Sequence, residues 1–165
     1  MPAALPRRAR LAYNARTMSD APYQGSFTNG VHRFGVRVYY EDTDLTGVVY
    51  HANYLRYMER ARADMLRCLG IEQAAVFAAG QGFYSVRDLA LTYRAPARLD
   101  DSLVVVSRVA MVRAAATVLL QDVWRGETLL TSGRVTAAWL AMNGRPQRQP
   151  RAWAAAFSAL CSETG

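Results

Sequence analysis

The sequence contains no lysine, so all 20 of its basic residues are arginine. Cysteine and histidine are also scarce, with two of each. No stretch approaches the roughly 20 apolar residues that are needed to span a bilayer. A glycine-rich phosphate-binding loop is absent as well. These absences argue against a disulfide scaffold, a membrane-spanning protein and a P-loop nucleotide enzyme.

The two cysteines, Cys68 and Cys161, lie far apart in the chain and outside any spaced ligand motif. This pattern favours two buried, reduced thiols over a disulfide or a metal pair. We therefore expect a cytoplasmic protein without a metal site.

The net charge of +7 is concentrated near the start of the chain. Four arginines, Arg7, Arg8, Arg10 and Arg16, precede Met18 with no acid among them, and they account for four of the seven net charges. Because the excess lies mainly there, nucleic acid is not an expected partner.

The composition and length divide the chain into three segments. Residues 1–30 lack the apolar stretch of a secretory signal and are interpreted as a disordered extension or the product of a start codon upstream of Met18, with a transit peptide as the alternative. One domain is expected over residues 31–150. Residues 151–165 are expected to form a terminal helix and tail.

Periodicity predicts the elements of this domain. Apolar residues recur at helical spacing from Asn53, and the predicted helix ends at Gly70. The predicted order is a strand over 32–41, that long helix, a short helix over 72–79, strands over 83–93, 102–112, 116–124 and 128–142, and a helix over 150–160.

A long helix with one apolar stripe followed by antiparallel strands predicts an α+β fold in which the sheet wraps around a central helix. The three strands from residue 102 onward are separated by tight turns and predict a meander. Such a sheet leaves an edge strand exposed, so pairing of two copies is expected.

The segment Tyr40–Tyr54, YEDTDLTGVVYHANY, is the most unusual part of the sequence. It places three acids, a glycine and a histidine directly before the long helix. The first N–H groups of a helix are unpaired and lie at its positive end. A carboxylate brought to that end by a glycine-containing loop places a base or nucleophile beside donors for an anionic oxygen.

This segment and a second one, YRAPARLDD at 93–101, resemble the hotdog-fold acyl-CoA thioesterases of the 4-hydroxybenzoyl-CoA thioesterase-like family, in particular the Tol–Pal-associated branch called YbgC. The resemblance runs from about Phe34 to about Pro150. It implies a homodimer or homotetramer with its site at the subunit interface, acyl-CoA as substrate and no cofactor.

The resemblance also implies roles for individual residues. Asp44 matches the catalytic aspartate, acting as general base or as nucleophile, and the backbone N–H of His51 would polarise the carbonyl. The role of the His51 imidazole is open between loop order, substrate binding and proton transfer. The candidate substrate-binding residues around them are Tyr40, Gly47, Val49, Tyr50 and Asn53.

Other polar residues receive structural interpretations. Glu41 and Asp42 are expected to be solvated or turn-forming acids, His32 a surface residue, and Glu59 part of an ion pair on the helix. The candidates for contacting the phosphates of coenzyme A, among which the sequence does not choose, are Arg87, Arg94, Arg108 and Arg113.

Three alternatives stay open at this point. A hotdog hydratase or dehydratase pairs Asp and His at a shorter spacing than the six residues that separate Asp44 from His51. A non-catalytic protein of this fold would bind an acyl carrier protein or envelope partners. If the protein is a thioesterase, the physiological acyl carrier is coenzyme A or an acyl carrier protein, and the acyl chain length is undetermined.

Overall fold

The computed structural model describes residues 22–161, and its elements follow the predicted order with one strand added at the start. The strands are β1 (Ser26–Thr28), β2 (Val31–Arg37), β3 (Phe83–Tyr93), β4 (Ser102–Arg113), β5 (Ala116–Arg125) and β6 (Thr128–Leu140). The helices are α1 (His51–Cys68), α2 (Gln73–Ala78) and α3 (Arg151–Leu160). Among these described residues, no helix is both long and apolar enough to cross a membrane.

The six strands form one antiparallel sheet in the order β1-β2-β4-β5-β6-β3. Strands β4, β5 and β6 are the predicted meander. Strand β2 joins it through β4, with Phe34 opposite Val105. Strand β3 pairs with β6 instead of its neighbour in sequence, with Leu91 opposite Gly133. The predicted α+β hotdog architecture is therefore confirmed, and β3 occupies one edge of the sheet.

Helix α1 lies on the inner face of this sheet and fills its centre. Its stripe of Tyr54, Met58, Ala61 and Met65 is buried. Burial of each larger apolar side chain contributes about 1.5–3 kcal/mol. This stripe explains why α1 is held in place by packing more than by helix propensity.

The helix ends where the sequence predicts, at Gly70, whose φ of +75° is readily adopted by glycine. The N–H of Gly70 donates to the carbonyl of Arg67 at 2.9 Å, and the N–H of Ile71 donates to that of Leu66 at 2.9 Å. This pair of bonds is a Schellman motif. Two carbonyls in the last turn of α1 are therefore satisfied within the chain.

Strand β2 ends at Arg37, four residues before the predicted end. The backbone N–H of Tyr39 donates to the Asp42 carboxylate at 2.8 Å instead of continuing the ladder, and a 3₁₀ turn, Tyr40–Asp42, follows. Tyr40 is therefore 83% exposed and does not continue the inward-facing row that the alternation predicted.

The N-terminal boundary of the domain lies earlier than residue 31. Strand β1 pairs with β2, so residues 26–28 belong to the sheet and not to a disordered extension. The prediction that His32 is a surface residue is wrong, because His32 is fully buried and bonds to Asp64 at 2.8 Å. The predicted segments before residue 22 and after residue 161 lie outside the described residues.

Both cysteines are free and partly buried, as predicted. Cys68 lies one helical turn after Asp64, and its Sγ is 3.6 Å from the Asp64 carboxylate. Burial raises the pKa of the Cys68 thiol, so it stays protonated at neutral pH.

Candidate active site

Asp42 ties together the two ends of the acidic loop. Its carbonyl accepts from the backbone N–H of Tyr50 at 2.9 Å and from the side-chain amide of Asn53 at 2.8 Å. Its carboxylate accepts from Tyr39, as described above, and is buried. The loop over 43–49 is thereby closed against the start of α1, with Asp42 as a structural acid beneath it.

Asp44 lies in that loop with its side chain exposed. Its backbone N–H donates to the carbonyl of Val48, and its carbonyl accepts from the N–H of Gly47, both at 2.9 Å. Gly47 has a φ of +76°, which an L side chain adopts only with strain. The tight loop therefore needs glycine at this position, as its place in the motif indicated.

Thr46 donates two hydrogen bonds to the Asp44 carboxylate. The hydroxyl of Thr46 donates to Oδ1 at 2.6 Å, and its backbone N–H donates to the same oxygen at 2.8 Å. These bonds, the hydroxyl first, lower the pKa of Asp44 from its ordinary value of 3.8. The carboxylate is therefore ionised at neutral pH and is suited to act as a base or nucleophile, not as an acid.

The start of α1 leaves backbone donors free. Tyr50 occupies the N-cap position and makes no capping bond with its side chain, and the first turn contains no acid. The N–H of Asn53 donates to the carbonyl of Tyr50 at 2.8 Å. Within residues 22–161, the N–H groups of His51 and Ala52 have no acceptor. Two donors at the positive end of the helix are thus available to an anionic oxygen.

Aromatic residues surround this helix start. The rings of Tyr50 and His51 have centroids 4.3 Å apart, and Tyr93 of β3 faces His51 edge-on at 6.4 Å. The hydroxyl of Tyr93 donates to the backbone carbonyl of His51 at 3.0 Å. A depression of about 310 Å³ opens beside them. Its lining residues are Val49, His51, Tyr54, Tyr93, Arg94, Ala95 and Pro96.

Asp44 and Gly47 lie in the loop that precedes α1, and His51 is the first residue of that helix. His51 is close enough for an electrostatic interaction with it to contribute, after the bonds from Thr46, to the lowered pKa of Asp44. Across the described residues the two side chains share no hydrogen bond. The arrangement therefore favours separate roles for them over a directly bonded acid–base pair.

The remaining candidates for substrate binding differ in how close they lie to the start of α1. Tyr50 borders the start of α1 and is exposed, whereas Tyr40 extends into solvent. Val49 is buried, and its backbone N–H donates to the carbonyl of Ala97 at 2.8 Å. Asn53 is also buried, with its amide engaged by Asp42. In this structure Val49 and Asn53 anchor the loop.

Sequence reasoning did not identify Thr46 or Tyr93 as functional residues. Thr46 was within reach, because a hydroxyl two residues after an aspartate commonly bonds back to its carboxylate. The contact between Tyr93 and His51 joins residues 42 positions apart. No local pattern indicates such a bond.

The structure distinguishes the four candidate arginines. Arg87 pairs with Asp88 at 2.7 Å, and Arg108 pairs with Asp122 at 3.1 Å. The guanidinium of Arg113 donates to the sulfur of Met111. Only Arg94 among the four lines the depression beside His51.

Glu59 forms the predicted ion pair with Arg62 on α1. Arg62 also donates to the side-chain oxygen of Gln121 at 2.6 Å, and Gln121 donates to the hydroxyl of Ser107 at 2.9 Å. The pair therefore links α1 to a buried polar network of the sheet, which supports a structural role for Glu59.

His32, Asp64 and Cys68 bring three metal-ligand atoms within 4.8 Å of one another. The Asp64 oxygen is already engaged by His32 and by the backbone N–H of Gly25 at 2.9 Å. A histidine that binds a metal donates its other ring N–H to a partner. Within the described chain, Nδ1 of His32 is buried without one. The cluster therefore fits a network of hydrogen bonds better than a metal centre.

Known proteins are similar to this chain over most of its length. Residues 46–132 match the model of the thioesterase superfamily. The acyl-CoA thioesterase YbgC of Haemophilus influenzae is 40% identical over 128 residues, which cover 77% of this chain and 94% of that protein. The acyl-CoA thioester hydrolase YbgC of Escherichia coli is 40% identical over 127 residues, covering 76% and 94%.

Solved structures show the same fold. A probable thioesterase from Bartonella henselae superposes with a TM-score of 0.70 at 35% identity, covering 73% of this chain and 99% of that one. A 1,4-dihydroxy-2-naphthoyl-CoA thioesterase from Synechocystis superposes with a TM-score of 0.73 at 21% identity, covering 78% and 96%, and supports the fold alone. With its matched domain and its similarity to YbgC proteins over most of their length, the chain belongs to the thioesterase superfamily.

Proposed function

We propose that this protein hydrolyses acyl-CoA thioesters to a free acid and coenzyme A. The observation that carries the proposal is the juxtaposition of an ionised carboxylate, Asp44, with the free N–H groups at the start of α1. The 40% identity to YbgC proteins named as acyl-CoA thioesterases supports the choice of substrate class.

In the proposed reaction the thioester carbonyl oxygen lies against the N–H of His51 at the positive end of α1. This donor stabilises the negative charge that develops on the oxygen as the carbonyl is attacked. Asp44 either removes a proton from the attacking water or attacks the carbonyl itself. In both cases the bond from carbon to sulfur breaks, and coenzyme A leaves as the thiolate, which takes up a proton. Attack by water gives the free acid directly, whereas attack by Asp44 gives a mixed anhydride that a water molecule hydrolyses to the free acid and the Asp44 carboxylate.

The substrate extends from this centre over residues that differ in character. Tyr50, Gly47 and the exposed part of the loop are proposed to contact the acyl-pantetheine region. Arg94 is proposed to interact with an anionic group of the substrate, because it is the candidate arginine beside the site. The His51 imidazole is proposed to order the loop through its contacts with Tyr50 and Tyr93.

A homodimer is proposed to complete the enzyme, with a pair of dimers as the larger alternative. Strand β3 is an edge strand of 11 residues, and its inward-facing Val86, Leu89 and Tyr93 are each more than 40% exposed. Long exposed edges of this kind are normally paired or covered. A second copy of the chain is the proposed cover.

The cellular setting is proposed from the two cysteines and from family resemblance. The free thiols of Cys68 and Cys161 are compatible with a reducing, cytoplasmic compartment. An acyl carrier protein as alternative thioester carrier, and an association with the Tol–Pal envelope complex, are proposed from family resemblance.

The decisive experiment measures the thiol released from acyl-CoAs of short, long and aromatic acyl groups by the purified protein. The Asp44→Asn variant should lose at least about a hundredfold in kcat, because the base or nucleophile is removed. Glu41→Gln is the matched control, since Glu41 is an exposed acid in the same segment and should be dispensable.

The proposal fails if the wild-type protein releases no thiol from any acyl-CoA in the panel. The assignment of Asp44 as base or nucleophile fails if Asp44→Asn keeps wild-type activity while its oligomeric state is unchanged. In the first case, acyl carrier protein thioesters are the next substrates to test.

A further inference from the structure

Tyr93, the last residue of β3, makes a hydrogen bond to the backbone of α1. Its hydroxyl donates to the carbonyl of His51 at 3.0 Å. Carbonyls at the start of a helix normally need no partner of this kind, because they already accept from the N–H four residues later. The extra donor is therefore not required to satisfy the helix.

The accepting carbonyl belongs to a particular peptide unit. The carbonyl of His51 and the N–H of Ala52 lie in the same planar peptide group. That N–H is one of the two without an acceptor in residues 22–161. A hydrogen bond to the oxygen of a peptide polarises the group and strengthens its N–H as a donor. The Tyr93 hydroxyl thus acts on a donor at the proposed oxyanion site from the opposite side of the peptide.

The tyrosine is held in place by its surroundings. Its ring packs edge-on against Tyr54 at 5.7 Å between centroids, and Tyr54 itself accepts from the backbone N–H of Ala97 at 2.9 Å. The next residue, Arg94, donates its N–H to the carbonyl of Leu130 at 2.8 Å. Partial burial raises the pKa of Tyr93, which keeps the hydroxyl protonated and able to donate.

We propose that Tyr93 is a positioning residue for the reaction, and that it orients and polarises the His51–Ala52 peptide so that the N–H of Ala52 acts with that of His51 on the carbonyl oxygen. This inference rests on the proposed thioesterase function. It adds to the proposed mechanism a second backbone donor, the N–H of Ala52, and a side chain, Tyr93, that polarises this donor. Tyr93 acts through the peptide and forms no bond to the substrate in this role.

The test compares Tyr93→Phe with Tyr84→Phe in the full-length protein. Tyr93→Phe keeps the ring and removes only the hydroxyl. Tyr84→Phe removes a comparable hydroxyl, which donates to Gln149 at 2.5 Å, from a position packed against Trp153 and Phe157 of α3. The measurements are kcat and KM on the best acyl-CoA, and the amide proton shift of Ala52 by NMR.

For Tyr93→Phe, kcat should fall about tenfold, the scale of one hydrogen bond, with KM changed less than about twofold. The Ala52 amide proton should move upfield as its peptide loses polarisation. Tyr84→Phe should show neither change. An unchanged kcat or an unmoved Ala52 amide in Tyr93→Phe would overturn the inference, and a rise in KM alone would assign Tyr93 to substrate binding instead.

The two proposals fail in different ways. If the wild-type protein hydrolyses no acyl-CoA, the proposed function is wrong and the catalytic role of Tyr93 falls with it. If the wild type is active and Tyr93→Phe is equally active, the function stands and only the positioning role is lost.

Discussion

The two ends of helix α1 differ in how completely their polar groups are paired. At the C-terminal end, the Schellman bonds satisfy the carbonyls of Leu66 and Arg67, and the nearby carboxylate of Asp64 accepts from Gly25 and His32. At the N-terminal end, the N-cap residue Tyr50 provides no side-chain acceptor, and two N–H groups have no acceptor in the described part of the chain. These two donors, at the positive end of α1 and close to the ionised Asp44, are accessible to an anionic oxygen of a ligand.

The aspartates near the two ends show the same contrast. Asp64 is buried and surrounded by donors from β2 and from the segment before β1. Asp44 is exposed, and its bonded partner is its near neighbour Thr46. The Asp64 carboxylate therefore links separate parts of the fold, whereas the Asp44 carboxylate is oriented by a residue of its own loop. The variants of Asp64, Asp44, Tyr50 and Thr46 test this difference between the two ends of α1.

The largest effects are expected from replacing each aspartate in turn. Asp64→Asn should lower the free energy of unfolding by about 2–4 kcal/mol, because it disrupts a buried, charge-assisted network. Its kcat, measured on the folded fraction, should stay within about twofold of wild type because the site lies at the other helix end. Urea unfolding and thiol release provide the two measurements.

Asp44→Asn should give the opposite pattern, with its hundredfold loss of kcat and an unchanged unfolding midpoint. If instead both variants lose activity and stability together, the proposed division between the two ends of α1 is wrong.

A smaller effect is expected from capping the open helix end. Tyr50→Ser places a good N-cap residue before α1, and capping typically stabilises a protein by about 1 kcal/mol. Its hydroxyl would occupy a backbone N–H in the first turn, so kcat should fall while the melting temperature rises. Tyr50→Ala is the control for loss of the tyrosine ring. Equal activity of the two variants would show that free donors at this end are not needed.

The smallest expected effect is a displaced pH profile. Because the folded pKa of Asp44 is below 3.8, the ionised form persists to low pH, and the acid limb of kcat/KM should lie below that value. Thr46→Val removes the hydroxyl that contributes most to this lowering. The acid limb should therefore move to higher pH in the variant. A limb that does not move would mean that another group controls it.

Much of the fold follows from local patterns in the sequence. The helical period from Asn53 to Gly70 predicted α1, and the turn residues predicted strands β3 to β6 close to their observed bounds. These signals are local because helical and strand periodicities depend on neighbouring residues. Strand β2 was predicted too long, because the capping bond from Tyr39 to Asp42 ends it before the apolar alternation does.

Part of the candidate site could also be predicted, because it too depends on residues that are neighbours in the sequence. Asp44, Gly47 and His51 belong to one continuous motif, so their proximity follows from chain connectivity. The engagement of Asn53 by Asp42 and the burial of Val49 depend on how the loop closes against the sheet. Residue type and spacing do not specify such closure.

By itself, the sequence determined the family, the succession of elements and the short segment that holds the candidate site, because each of these depends on residues that are neighbours along the chain. The tertiary structure decided which strand became the sheet edge, that His32 would be buried against Asp64, and that Tyr93 would reach the carbonyl of His51. The hydrogen bond between His32 and Asp64 joins residues 32 positions apart, and the one between Tyr93 and His51 joins residues 42 positions apart. Contacts over such separations form only when the helix and the sheet pack together, since burial of the whole core, and no local preference, selects them.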